Sequence, residues 1–179
     1  MSLNFRYFPD IFEDFVVNTR PVIDPTIEAT IDPIVAASGG VLPIFKFGSY
    51  LELVALTSID RSAVKYPLVW LVWDSNENTQ NWVHSQRYTI SPRIFICTPR
   101  NPTALPEYAF DNYFKLILYP IWVELEKQIT YHDNVATEMF NKVKINEHSK
   151  WGENYTNKLF DTLSALEINF DELQIIKRC

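Results

Sequence analysis

Residues 65–74 read KYPLVWLVWD. Positions 68–73 are apolar without interruption, and the run stops at Asp74. A strand with no polar alternation is covered on both faces, so this stretch predicts a central strand over 67–73. Trp70 and Trp73 have opposite parity and point to opposite faces of it. Asp74 poses the functional question. It either carries a carboxylate out to a reacting centre or only marks where the strand meets water.

Working outward, residues 74–86 (DSNENTQNWVHSQ) are polar and predict a long loop. Residues 87–98 (RYTISPRIFICT) predict an antiparallel return strand, with a bulge or an edge position at Pro92. On the N-terminal side, 41–47 predict a strand that turns at Gly48-Ser49 into a helix. Ser49 and Glu52 have the spacing of a capping box, and Leu53, Leu56 and Tyr50 supply the apolar stripe. Residues 1–40 predict an arm or bracket. It holds a short helix over 10–18, with Ile11, Phe12, Phe15 and Val16 on one face. Two Ile-Asp-Pro turns follow, each placing an N-cap before a proline.

After Pro99, Pro102 and Pro106 a long helix is expected over 107–129. Its stripe is Phe110, Phe114, Ile117, Ile121 and Leu125, with Leu118 and Trp122 beside it. Pro120 lies inside and predicts a kink. Val135–Val143 fits a short strand or a helix, and KWGEN (150–154) a turn. Leu166, Ile168 and Phe170 alternate, which predicts a final strand; a helix over 160–176 is the competing reading. The fold class expected is α+β: a mixed, mostly antiparallel central sheet of about four strands flanked by helices. The helical arm spans 1–40 and a single domain 41–179.

The totals narrow the function classes. The chain has 179 residues, 47% hydrophobic and 21% charged, which is globular composition. The net charge of −6 argues against a dedicated duplex-DNA binder and is compatible with a surface that lets DNA pass. Two cysteines, Cys97 and Cys179, are no disulfide framework and suggest a reducing compartment. The opening MSLNFRYFPD lacks a basic region followed by an apolar run, so no secretory leader is expected. No apolar stretch approaches the ~20 residues of a membrane helix.

Candidate chemistry is sparse. Asp74 with Glu77 could hold a metal in a hydrolase, but the Glu-x-Lys text at Glu124-Leu125-Glu126-Lys127 falls on the predicted helix, not on a neighbouring strand. The bland reading of Asp74 is a strand terminus. His84, His132 and His148 lack ligand spacing, and His132 suits a helix C-terminus. Cys97 reads as a core thiol. Four glycines build neither a phosphate loop nor a dinucleotide fingerprint. No catalytic residue, metal or cofactor is therefore assigned. Trp82, in a polar loop, is a candidate interface anchor. Arg87 and Arg93, on one strand face by parity, are candidates for phosphate or an acidic neighbour; an edge protected by charge explains them equally well.

The order of PIFKFGSYLELVALT, KYPLVWLVWD, RYTISPRIFICTP, FDNYFKLILYPIWVEL, KWGEN and LSALEINF resembles small structural proteins of tailed bacteriophages. Those of Bacteroidetes-infecting, crAss-like phages are the most similar in text. The resemblance covers roughly 41–170 and centres on Lys65–Leu68, Ser91-Pro92-Arg93 and Leu118-Tyr119-Pro120-Ile121. Such proteins are tail-terminator or neck-ring subunits. The resemblance implies a virion protein assembled in the host cytoplasm, a homo-oligomeric ring, and portal, adaptor or tail proteins as neighbours. It also implies a lumen that DNA crosses without specific binding, and no membrane. The metal-dependent hydrolase using Asp74 and Glu77 is the alternative, and a cytoplasmic adaptor binding through 74–86 a third.

Overall fold

The structure, a computed structural model, describes residues 8–19, 43–58, 66–72, 87–99, 103, 105–133, 135, 143–148, 163–171 and 173–176. Their elements, in order, are α1 (Phe8–Thr19), β1 (Ile44–Gly48), α2 (Tyr50–Ser58), β2 (Leu68–Val72), β3 (Arg87–Ile90) and β4 (Arg93–Pro99). A continuous helical stretch follows, made of α3 (Pro106–Ala109), a wide π-helical segment (Phe110–Leu118) and α4 (Tyr119–Tyr131). Then come β5 (Val143–His148), β6 (Leu163–Phe170) and β7 (Leu173–Ile176). The class is α+β, with a mixed main sheet of five strands instead of about four, in the order β1-β2-β4-β6-β5.

The apolar run behaves as its composition demands. All five residues of β2 are buried. Only β1 joins the sheet in parallel; β2–β4, β4–β6 and β6–β5 are antiparallel. Register assigns each side chain to a face, since paired residues point the same way. Phe45, Val69, Leu71, Ile94, Ile96, Leu166 and Ile168 fall on the front, in one core cluster with α1, the π segment and α4. Leu68, Trp70, Val72, Phe95, Cys97 and Ala165 fall on the back, in a second cluster under Leu53 of α2. The sheet thus separates two cores, and this is why β2 had to be apolar at every position.

The capping box is present as read. Ser49 N–H donates to Glu52 Oε2 at 2.7 Å, and Glu52 N–H donates to Ser49 Oγ at 3.2 Å. The two bonds satisfy donors at the helix start; the Ser49 N–H, with the Ser49 hydroxyl donating to the same oxygen at 3.0 Å, holds the Glu52 carboxyl below its ordinary range. Gly48, just before the cap, is a close-approach position. A Cβ there would lie 2.7 Å from Glu52 Oε2 and 2.8 Å from the Trp70 ring. The Trp70 ring is buried and cannot step aside. Gly48→Ala is therefore expected to cost about 1–3 kcal/mol by overpacking, read as a lower urea midpoint with an unchanged m-value.

Three expectations need correction. Residues 87–98 are not one strand. The chain breaks at Ser91-Pro92, where proline cannot donate to a ladder. β3 pairs with β7 in a separate two-stranded sheet, while β4 enters the main one. Parity therefore does not carry from Arg87 to Arg93. Second, α1 starts at Phe8 with Asp10 in its first turn, and Ile11, Phe12, Phe15 and Val16 are core residues. This part of the arm is a core layer, because four large apolar side chains on one face must be covered. Residues 20–42, with both Ile-Asp-Pro turns, lie outside the described residues. β6 is the last strand of the main sheet in chain order, as expected, and lies inside it, with β5 at the edge. Third, Phe110 is not part of the core. It stacks on Phe114 at 6.2 Å and stays 39% exposed, while Tyr113 takes an inner place.

Pro120 lacks an N–H, and its ring crowds the preceding turn. The chain answers with a change of helix type just before it, from the wide π segment to α4. His132 then ends α4, as its position suggested; its N–H reaches Ile129 O, and its ring packs edge-on against Phe15.

One register pair of the main sheet carries two buried hydroxyls. Thr98 and Ser164 are register partners on β4 and β6, fully buried, and neither Oγ has a hydrogen-bond partner. A buried unpaired hydroxyl is costly. Thr98→Val keeps the shape and removes the polar atom, so it is expected to stabilise by about 1 kcal/mol, visible as a raised melting temperature.

Candidate functional site

The sequence candidates separate on the structure. Asp74, Glu77, Trp82 and His84 lie outside the described residues, as does the KWGEN turn. Arg87 lies on β3, in the two-stranded sheet. Arg93 opens β4 on the back face, across from Asn169. Its guanidinium carbon sits 5.3 Å above the Tyr50 ring and 5.5 Å from the Phe95 ring. Its Nη1 is 3.9 Å from Glu167 Oε1, an oxygen that also accepts from Asn169 Nδ2 at 3.3 Å. Arg93 therefore uses its charge to tie α2 to the sheet, through cation–π contact and a long ion pair. It is a half-buried cation whose described partners lie on its own face of the sheet.

The acid on the long helix is also satisfied locally. Glu124 is buried on α4 and accepts from Gln128 Nε2 at 2.9 Å and from Lys127 Nζ at 3.1 Å. The Gln128 hydrogen bond, aided by Lys127, holds its carboxyl below the ordinary range against the opposing effect of burial. Cys97 is fully buried on the back of β4, and burial pushes its thiol far up, so it is an inert core group. Among the described residues, no group of three or more His, Cys, Asp or Glu is placed to hold a metal.

What the sequence reading missed is the edge of β1. This terminal strand lies at the bottom of an open groove of about 500 Å³. Glu13 of α1, Phe45, Lys46 and Phe47 of β1, Glu52 of α2 and Trp70 of β2 line it. Phe47 is 53% exposed and Leu51, in the first turn of α2, is 77% exposed. The local signal was partial: IFKFG alternates ring, Lys, ring, the pattern of a strand with one wet face, which does not say whether the strand has a neighbour on each side. The opposite edge, β5, is polar. Lys144, Asn146 and Glu147 are exposed, with Ile145 among them at 40%.

A polar contact ties β5 to the helical layer. The Tyr119 hydroxyl donates to Glu147 Oε1. That bond, with burial and the carboxylate's charge, pushes the Tyr119 phenol up to about 12. A raised phenol contributes stability that is complete below the ordinary tyrosine pKa near 10 and is lost as pH rises through about 12. Comparing the alkaline absorbance titration of wild type with that of Tyr119→Phe is expected to show one late-ionising phenol missing from the variant. A difference curve centred on the ordinary tyrosine range would count against the contact.

No protein-family model, curated protein or solved structure matches the chain. No described helix is long and apolar enough to cross a membrane.

Proposed function

We propose that this chain is a virion structural protein of a tailed bacteriophage, a subunit of a ring in the neck or tail, such as a tail terminator or head–tail connector. The observation that carries the reading is the placement of exposed apolar side chains on a subunit whose sheet is sealed on both sides. One area lies at the β1–α2 corner, with Phe47 and Leu51. A separate one lies at the start of the long helix, with Leu105, Tyr108 and Phe110. A ring subunit has neighbours on more than one side and needs more than one contact area. The text resemblance of residues 41–170 to neck and tail proteins supports the same reading, and so does the charge of −6, which disfavours gripping DNA in a lumen.

The mechanism is mechanical. Rigid subunits repeat one contact around an axis, present their remaining faces to portal, adaptor or tail proteins, and leave a channel. The test is the composition of the particle. In purified virions of a phage that encodes this chain, mass spectrometry should find it as a multi-copy component, and particle imaging should place it between portal and tail. Intact, infectious particles without it overturn the proposal.

A further inference from the structure

We infer that the ring contact is an edge-to-edge sheet junction, in which β5 of one copy pairs antiparallel with β1 of the next. This deepens the ring-subunit reading and rests on it for its biological setting. The strand directions permit the join. With β1 parallel to β2 and the next three pairings antiparallel, β5 runs opposite to β1. Copies laid side by side in one orientation therefore present an antiparallel pair at every junction. One such contact, repeated head to tail, closes into a ring when the rotation permits.

Register follows from side-chain chemistry. The front faces must align, so Ile145 stands opposite either Phe45 or Phe47. Opposite Phe45, Lys144 would face Lys46, and like charges directly across a pair repel. Opposite Phe47, the half-exposed Ile145 covers the most exposed ring of β1. Lys144 then faces Gly48, where no side chain intervenes and the Glu52 carboxylate lies within 2.7 Å of the missing Cβ position. Asn146 falls opposite Lys46. Charge matching thus selects the second register over the first, which would add a Val143–Phe47 pair; in the selected one Glu147, held by the Tyr119 hydroxyl, stands opposite Phe45. Lys144 is open to it, being 74% exposed and held otherwise by a 4.0 Å contact to Asp171. Pairing β1 with a second β1, Phe45 across from Phe47, would instead set Lys46 against Lys46.

The test is light scattering on the full chain with Phe47→Glu, Ile145→Lys and the double variant, each confirmed as folded by circular dichroism. Either single change should weaken assembly at least about tenfold, and the double variant should restore it, because each junction then pairs a glutamate with a lysine. An equimolar mixture of the two single variants should assemble as well. Assembly that survives both single variants overturns the junction, as does wild type that stays monomeric at its highest soluble concentration. Loss in only one single variant, with a dimer as the end state, overturns it in favour of a two-fold edge contact. The two proposals fail separately. A chain found in virions whose oligomer ignores these variants loses the junction alone, and a chain that assembles through it yet is missing from virions loses the ring-subunit reading alone.

Discussion

Trp122→Ala is expected to lower the free energy of unfolding by about 3–5 kcal/mol, a large part of what a domain of this size has. Trp122 sits on α4, one turn before Leu125, and is almost wholly buried. Its ring meets Phe170 at the end of β6 edge-on, with centroids 6.1 Å apart. Truncation removes that contact and leaves a void between α4 and the sheet. The neighbours, Leu125 and Ile121 on the same helix and Ile168 on the strand beside Phe170, are themselves close-packed and cannot collapse to fill it. Urea titration monitored by circular dichroism measures the loss. A cost below about 1 kcal/mol would mean that α4 does not pack on this sheet as described.

Leu53→Ala is expected to cost about 2–5 kcal/mol, because Leu53 is fully buried, alone among the described side chains of α2, and anchors it over the back of the sheet. Tyr50, Val54 and Leu56 pack around it but are only partly covered. The lower half of the range applies if α2 settles toward β2, which its attachment through the Ser49–Glu52 cap and the Arg93–Tyr50 contact resists. The two cores lie on opposite sides of the five-stranded sheet and share no side chain. Trp122→Ala and Leu53→Ala should therefore add to within about 0.5 kcal/mol in the double variant. Strong coupling between them would contradict a sheet that divides two independent cores.

The interaction surface was less legible than the fold. The interface candidates rested on residue type: Trp82 as a ring in a polar loop, Arg87 and Arg93 as cations at matching parity. Parity holds only within one strand, and Ser91-Pro92 breaks the strand between the two arginines. Arg93 is engaged by Tyr50, which lies forty-three positions away and is brought near only because α2 folds across the back of the sheet. The β1 groove could not be read from IFKFG alone, since the same alternation suits a strand with neighbours on both sides. Its openness depends on β1 being last in the strand order.

The sequence by itself determined what near neighbours decide. The apolar run required a doubly covered strand at 68–72, Ser49 with Glu52 required a helix start, and the alternation of Leu166, Ile168 and Phe170 pointed to the strand at 163–170 while leaving a helix as the competing reading. Pro120 required an interruption in the long helix. Each is a matter of steric fit, periodicity or hydrogen bonding within a few residues. Only the tertiary structure decided the strand order, the passage of the chain between two sheets at Pro92, the place of α1 in the core, and which edges stay open. Those depend on pairings between residues far apart in the chain, whose energies no local window contains.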